Sequence, residues 1–535
     1  MVLRVNQVVT KNRRAWSYKL LRRQWLRSRL LRSAVLSCFV LASLQVMTAQ
    51  PAGANMNRFC QISEAEAQSK ESLRVAGLQG NEIAQREYEM LSNQQAEAMH
   101  RCRRTQWPQN QAVWLRLYPC DLRPGRLDAL MDRIVNLGYN QVYIEAFSNG
   151  QVLLPKNDNP TVWPSVVQFD EFADRDLLAE AIAAAHERSL DAYAWMFTLN
   201  FGYSYGQRPD RRQVLARNGT GSDTVDYAEN GKSGTSEEAF IDPYSRVAQQ
   251  DYQQMLRAIL ARKPDGALYD YVRYPRLVGG GSVATQVRDL WIYGPAASQA
   301  FVQRGTNNKG RALIRSFLRR GYLTEFDVTQ TDSLYPAEGE PLWQSRTPAP
   351  VAPDELAPAA ERRPGLQNEL WRMSVAHAIQ GVVDFLQAGA LSARQEGIPT
   401  GAVFFPNGNR AIGNGYDSRL QHWNRFPLWM DFHPMAYAVC GNTSCIVDEV
   451  RRVTNVRRNL ATVKPALAGI WGVNQRDRPS LEAQMDALQR AFPQIKTVSH
   501  FTFSWQDAEF DRVRKSCPTV TRRVDREALL GVSGE

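Results

Sequence analysis

The chain predicts an α/β fold: an eight-stranded (β/α)8 barrel of the TIM type, preceded by a helical hairpin and carrying a long insertion after its fourth strand. Three observations lead there. From about residue 112 onward, short apolar runs alternate with amphipathic segments, and strands that alternate with helices build parallel sheets because parallel neighbours need a crossover connection. The runs number eight, which is enough to close a barrel. The competing arrangement, a doubly wound open sheet, lacks its phosphate-binding fingerprint: Gly279-Gly-Gly281 follows the fourth run without the G-x-G-x-x-G spacing.

The runs occupy 112–118 (AVWLRLY), 141–147 (QVYIEAF), 191–198 (DAYAWMFT), 267–271 (ALYDY), 401–405 (GAVFF), 428–437 (LWMDFHPMAY), 465–471 (PALAGIW) and 500–505 (HFTFSW). Between the first two, Leu127, Leu130, Met131 and Ile134 repeat at helical spacing and stop at Gly138; Asp174 and Ser245 stand where N-caps of the next two helices belong. The stretch from Pro275 to Gly401 is far too long for a βα loop. It holds helical patterns at 312–320 and 367–391, separated by a Pro- and Ala-rich piece at 346–353. Insertions of this kind at the C-terminal face of a barrel shape the cleft.

Ahead of the barrel, 61–101 is rich in Glu, Gln, Ala and Leu and free of proline, and reads as two helices broken at Gly77-Leu-Gln-Gly80 with Asn81 capping the second. Residues 1–54 hold ten of the 65 Lys and Arg and none of the 54 Asp and Glu, so the net charge of +11 belongs to that segment and the rest is close to neutral. A nucleic-acid partner is therefore not expected. The basic run leads into an apolar stretch at 34–47 and a small-x-small site at Ala52-Gly-Ala54, the pattern of a secretory signal peptide. Export to the periplasm or cell envelope of a bacterium follows; a leader left uncleaved would tie the protein to a membrane instead. The expected division is a leader over 1–54, a helical segment over 55–108, a barrel over 109–515 with an insertion at 277–365, and a tail over 516–535.

Of seven cysteines, Cys38 lies in the leader, and an even remainder in an exported chain suggests disulfides. Cys440 and Cys445 are close enough to staple one loop. Sequence leaves the pairing of Cys60, Cys102, Cys120 and Cys517 open, although an antiparallel helix pair would bring Cys60 to Cys102; buried free thiols are the alternative.

In a parallel barrel the strand C-termini converge on one rim, where active sites are built. The residues ending these strands include Glu145, Asn149, Trp195, Asn200, Asp270, Tyr271, Arg273, Asn407, His433, Tyr437, Trp505 and Asp507. Carboxylates among Trp, Tyr and Asn suit a sugar: acids move protons and stabilise an oxocarbenium-like centre, aromatic faces stack on pyranose rings, and amides bind hydroxyls. Asp270, Glu145 and Asp507 are the candidate catalytic acids, the others candidate substrate contacts. Asp242 is expected to shape the turn before the helix starting near Ser245, and Asp431 to be structural. Six histidines show no His-x-His or HExxH spacing, no Gly-x-Ser-x-Gly elbow exists, and neither a metal nor another cofactor is expected.

The stretch 265–275 (DGALYDYVRYP), preceded by Phe240-Ile-Asp-Pro-Tyr244, resembles the "DPxxPxVRxYL…DGIHFDDYRYP" core of glycosyl-hydrolase-like family 10, the YngK-like proteins. Residues 139–147 (YNQVYIEAF) with Leu154-Pro155 resemble the family's second strand, Trp371-Arg372 the WR that opens the helix before the fifth, and 429–437 (WMDFHPMAY) its "xVDxxxPMxY". Covering roughly 110–510, the resemblance implies an exported bacterial TIM barrel and makes peptidoglycan glycan strands the substrate class. The chain departs from the pattern at two places. Tyr271 follows Asp270 where the family motif has a second acid, and Glu145 stands where Gln is common. The acid pair is then either redistributed, giving a glycoside hydrolase, or broken, giving a glycan-binding or envelope scaffold protein.

Overall fold

Hydrogen bonds between the first and last of eight parallel strands close the sheet into a ring. A computed structural model describes residues 56–230 and 237–516; the expected leader, and the tail from Cys517 onward, lie outside them. The strands are β1 Asn110–Leu115, β2 Gln141–Ser148, β3 Asp191–Phe197, β4 Gly266–Asp270, β5 Thr400–Phe404, β6 Asp431–Ala436, β7 Ala466–Ala468 and β8 Thr497–Phe501. Each pairs in parallel with the next, and β1 pairs with both β2 (Val113↔Val142) and β8 (Val113↔His500). Helices lie between the strands, which makes this a (β/α)8 barrel. The strands are buried nearly throughout, as expected of a parallel sheet covered on both faces.

Large rings fill the barrel. Trp114 meets Tyr143 and Trp195 edge-on, both at 4.9 Å between centroids, and Tyr143 packs against Tyr193 at 5.3 Å. His433 was expected at the rim but lies inside, fully buried against the edge of Tyr143. Both of its ring nitrogens lack a partner among the described residues, and burial holds its pKa well below the ordinary histidine value.

Several boundaries differ from the sequence reading. The run starting at Leu428 becomes strand only at Asp431, because the Arg457 guanidinium binds the Leu428 and Met430 carbonyls and holds that approach in a turn. Phe503–Gln506 turns into helix rather than continuing β8. The cap of the helix Leu177–His186 is Asp176, which accepts from the Ala179 N–H; Asp174 instead accepts from the Asn157 side chain. Ser245 does cap the helix Arg246–Leu260.

The long connection between β4 and β5 folds into four helices, Pro295–Val302, Asn308–Arg320, Glu325–Leu334 and Ala359–Gln395. The last packs along Arg246–Leu260. Gly381 and Gly389 allow that approach, since a Cβ at Gly381 would stand 2.6 Å from the Tyr244 ring and one at Gly389 would stand 3.1 Å from Tyr252. Among the described residues no helix is long and apolar enough to cross a membrane.

The hairpin forms as α1 Glu64–Leu78 and α2 Glu82–Thr105, with the Asn81 side chain accepting from Ile83 and Ala84 N–H. Disulfides join Cys60 to Cys102 and Cys440 to Cys445. A buried ionic network fastens the hairpin to the barrel. Asp132, on the helix α3 Arg126–Asn136, accepts from Tyr88 of α2 (2.8 Å) and from Arg188 (2.9 Å), and lies 3.5 Å from Lys70 of α1. Burial alone would raise the Asp132 carboxyl, but Lys70 and Arg188 outweigh it and hold the pKa below the usual value. Removing one member leaves buried charge uncompensated. Asp132→Ala should therefore lower stability by about 3–5 kcal/mol, measured by urea unfolding; a loss under 1 kcal/mol would show that the network does not hold the hairpin.

Candidate active site

At the C-terminal rim a cleft of about 210 Å3 is lined by Trp114, Arg116, Asn149, Trp195, Phe197, Asp270, Tyr271, Arg273, Val403, Phe405, Met435, Tyr437 and Phe501. The lining has a simple origin. Side chains alternate across a strand, so inward positions recur every second residue, and the cleft residues come as such pairs: Trp114 and Arg116, Trp195 and Phe197, Val403 and Phe405, Met435 and Tyr437. The upper member of each pair reaches the rim and the lower forms the floor.

Asp270 ends β4 and is 7 % exposed. Beyond it Tyr271 takes a left-handed backbone, φ 51°, which stops the strand and turns the Tyr271 N–H back onto Asp270 Oδ1 at 2.6 Å. Oδ2 accepts from the Trp195 indole N–H at 3.2 Å. Burial raises the Asp270 pKa to about 6; the Tyr271 N–H, Arg273 and the indole limit the rise. A carboxyl so placed exchanges its proton near neutral pH, as a general acid requires.

The Tyr271 ring stacks on Phe197 at 4.1 Å, and the Arg273 guanidinium lies over its other side, 4.4 Å from the centroid. Arg273 forms no direct salt bridge with Asp270: the nearest carboxylate to it among the described residues is Glu238, at 3.9 Å. Arg273 also donates to the Tyr274 carbonyl at 3.0 Å.

Glu145 does not line the cleft. Carried one residue past Leu115↔Ile144, the β1–β2 ladder sets Arg116 beside it. The Arg116 Nε is 3.1 Å from both Glu145 oxygens, its terminal nitrogen is 2.8 Å from Oε2, and Ser148 also donates to the carboxylate. Arg116, half exposed at the lip, is what the cleft presents there.

Of the other residues singled out from sequence, Asn149, Trp195, Tyr271, Arg273 and Tyr437 line the cleft with Asp270. Asp507 does not: it caps the helix Ala508–Lys515 and pairs with Arg133 at 2.7 Å. Asn200 is fully buried, its side-chain oxygen accepting from the Gly202 and Ala239 N–H groups. Asn407 accepts from Arg419, and Trp505 packs between Phe501 and Arg478. His433 shares the inward parity of Met435 but falls one layer below the cleft, and Asn407 lies in the turn after β5. Trp114, Arg116, Phe197, Val403, Phe405, Met435 and Phe501 also line the cleft though sequence reasoning did not single them out, and the period-two pairing is the signal that finds all but Phe501.

Asp242 accepts from the Tyr244 and Ala297 N–H groups, 2.9 and 2.8 Å away, and so joins its turn to the first helix of the insertion. Asp431 pairs with Lys464 at 2.7 Å. Among the described residues no three His, Cys, Asp or Glu converge as a metal site would need. A larger hollow of about 570 Å3 beside α1 is walled by charged and polar residues such as Lys70, Glu71 and Asp132 and has no aromatic face.

No family model matches the chain, and a search of curated proteins finds no significant relative. Among solved structures it is similar to the glycoside hydrolase domain of PgaB (BpsB) from Bordetella bronchiseptica, with a TM-score of 0.44 and 16 % identity over 77 % of this chain and 99 % of that one. It is also similar to an exo β-N-acetylglucosaminidase of glycoside hydrolase family 20 from Vibrio harveyi, with a TM-score of 0.39 and 9 % identity over 81 % of this chain and 59 % of that one. The barrel assignment stands on its own strand pairing.

The Asp270 carboxyl should titrate near 6, about two units above an ordinary aspartate. Trp195→Phe removes a donor that favours the ionised form and should move the value further up. Difference infrared spectroscopy of the carboxyl bands against Asp270→Asn measures both; a titration near 4 in the wild type would contradict the burial argument.

Proposed function

We propose that this protein is an exported glycoside hydrolase acting on a cell-envelope polysaccharide, with the glycan strands of peptidoglycan the favoured substrate, and that Asp270 protonates the departing glycosidic oxygen. The observation that carries the reading is a single buried carboxyl with a pKa near 6 at the floor of an aromatic-walled cleft on the rim of a barrel. Tyr437 and Phe405 offer faces for sugar rings, and Asn149 and Arg116 offer donors for hydroxyls or a carboxylate. Glu145, one of the three candidate catalytic acids, serves in this reading as a positioning residue that holds Arg116 over the cleft. The disulfides are those of an oxidising compartment, which agrees with export.

A second reading is favoured by a specific observation. Tyr271 stands where a second acid belongs in the motif the chain resembles, and Glu145 is fully engaged by Arg116 and Ser148. A cleft so altered would bind glycan without cutting it.

Incubation with purified glycan strands and mass spectrometry of the products separates the two. Asp270→Asn should lower kcat at least about 100-fold and leave binding intact. Glu145→Gln should act mainly on KM, by about tenfold, through a loosened Arg116. Because the acid form of Asp270 disappears as pH rises through about 6, kcat should fall on the alkaline side of that value. Equal release by wild type and Asp270→Asn would reject the site; binding with no release by the wild type would favour the binding protein.

A further inference from the structure

The cleft at Asp270 holds about 210 Å3, less than the roughly 300–1,000 Å3 of pockets that enclose a whole small ligand. A polysaccharide seated there must extend beyond it. Beside the cleft opens a groove of about 660 Å3, and Tyr271, Arg273 and Phe405 line both. The other walls of the groove come largely from two rim loops. The loop after β4 supplies Arg276 and Val278, and the loop after β5 supplies Ile412, Asp417 and Arg419. Gly279, first of the triplet that lacks a nucleotide-binding spacing, borders the same groove.

Guanidinium groups outnumber carboxylates in this groove, three to two. Buried Arg419 donates to both oxygens of Asp417, at 2.8 and 2.7 Å, and to Asn407 at 3.0 Å. Buried Arg273 has Glu238 as its nearest carboxylate, at 3.9 Å. Those two pairs balance in charge, and Arg276 is left over. Its side chain is exposed, and among the described residues no carboxylate lies within ion-pair distance of it. An exposed arginine is ordinarily no more than solvated surface. This one stands in a groove that shares three walls with the cleft, and beside it Val278 and Ile412 present large apolar side chains to solvent. A free cation next to apolar surface matches a sugar ring that carries an acid.

We propose that the groove is a second subsite, which takes a neighbouring unit of the glycan when that unit bears a carboxylate, and that Arg276 pairs with the acid. The assignment rests on reading the cleft as a glycan site. A guanidinium offers planar donors that match the two oxygens of a carboxylate, while Val278 and Ile412 meet the C–H face of the ring. The carboxylate could belong to a lactyl ether on an amino sugar, as in glycan strands freed of peptide, or to a hexuronic acid. The chemistry that Arg276 recognises is the same in both.

The test is binding, measured by isothermal titration calorimetry at low salt, so that it does not depend on turnover. The ligands are peptide-free glycan strands and a soluble polyuronate, each also with its carboxyl groups reduced to alcohols. The wild type should bind at least one acidic ligand about fivefold more tightly than its reduced counterpart, and which one identifies the source of the carboxylate. Arg276→Gln should lose that preference, bind the reduced ligand as the wild type does, and melt at the wild-type temperature. Arg276→Lys keeps the charge and should keep most of the preference. A wild type that binds neither acidic ligand more tightly than its reduced form, or an Arg276→Gln loss of equal size on both forms, overturns the subsite. Cleavage followed alongside judges the hydrolase reading separately. Strands bound with the charge preference but left uncut reject hydrolysis and support the subsite; strands cut without any charge preference do the reverse.

Discussion

The pairing of β1 with β8 is the contact on which the remaining architecture depends. An open parallel sheet of eight strands has two edges and no common rim; once closed, all eight C-terminal ends face one circle, and residues far apart in sequence become neighbours. Trp114 at the start of the chain's barrel and Phe501 at its end share one cleft for this reason. Closure also fixes the inner radius, and the radius decides what fits. Interlocking tryptophan and tyrosine rings occupy the barrel interior and bury Asp270 from beneath. The carboxyl consequently meets an apolar floor and, among the described residues, two N–H donors, a balance that brings its titration close to neutral pH.

Much of the fold was legible because its signal is local. An apolar run bounded by turns announces a strand wherever it later packs, and Asp270 declared itself as a charge at the point where such a run ends. The cap at Ser245 and the break before Asn81 were equally local. What sequence did not carry was register and depth. Glu145 and Asp270 look alike as acids near strand ends, yet the β1–β2 register gives the first an arginine partner and the β3–β4 register gives the second a tryptophan. His433 lies in β6 and Tyr437 just past its end at the same parity, and only their height in the barrel separates an interior ring from a cleft wall. Boundaries failed where distant side chains intervene, as when Arg457 captures the carbonyls ahead of β6.

Glu238 illustrates a different limit. Nothing in its neighbourhood resembles a strand end, and a glutamate beside another glutamate in a polar loop reads as solvated surface. Its burial comes from Asn200, Thr224 and Leu199, which draw the loop against the extension of β3. A carboxylate carried on a loop whose backbone is held by one side-chain amide, one hydroxyl and one backbone carbonyl can be moved without disturbing the barrel.

The insertion has a consequence for assembly. β4 and β5 are hydrogen-bonded neighbours, Ala267 opposite Thr400, yet four helices separate them in sequence. A folding chain in which β1–β4 pair first ends in a bare strand edge, the kind of surface that recruits other chains. Loop-closure entropy grows only with the logarithm of length, so the finished protein loses little stability by the detour. Its burden falls on folding, in which the β4 edge stays open until Thr400–Phe404 pairs with it.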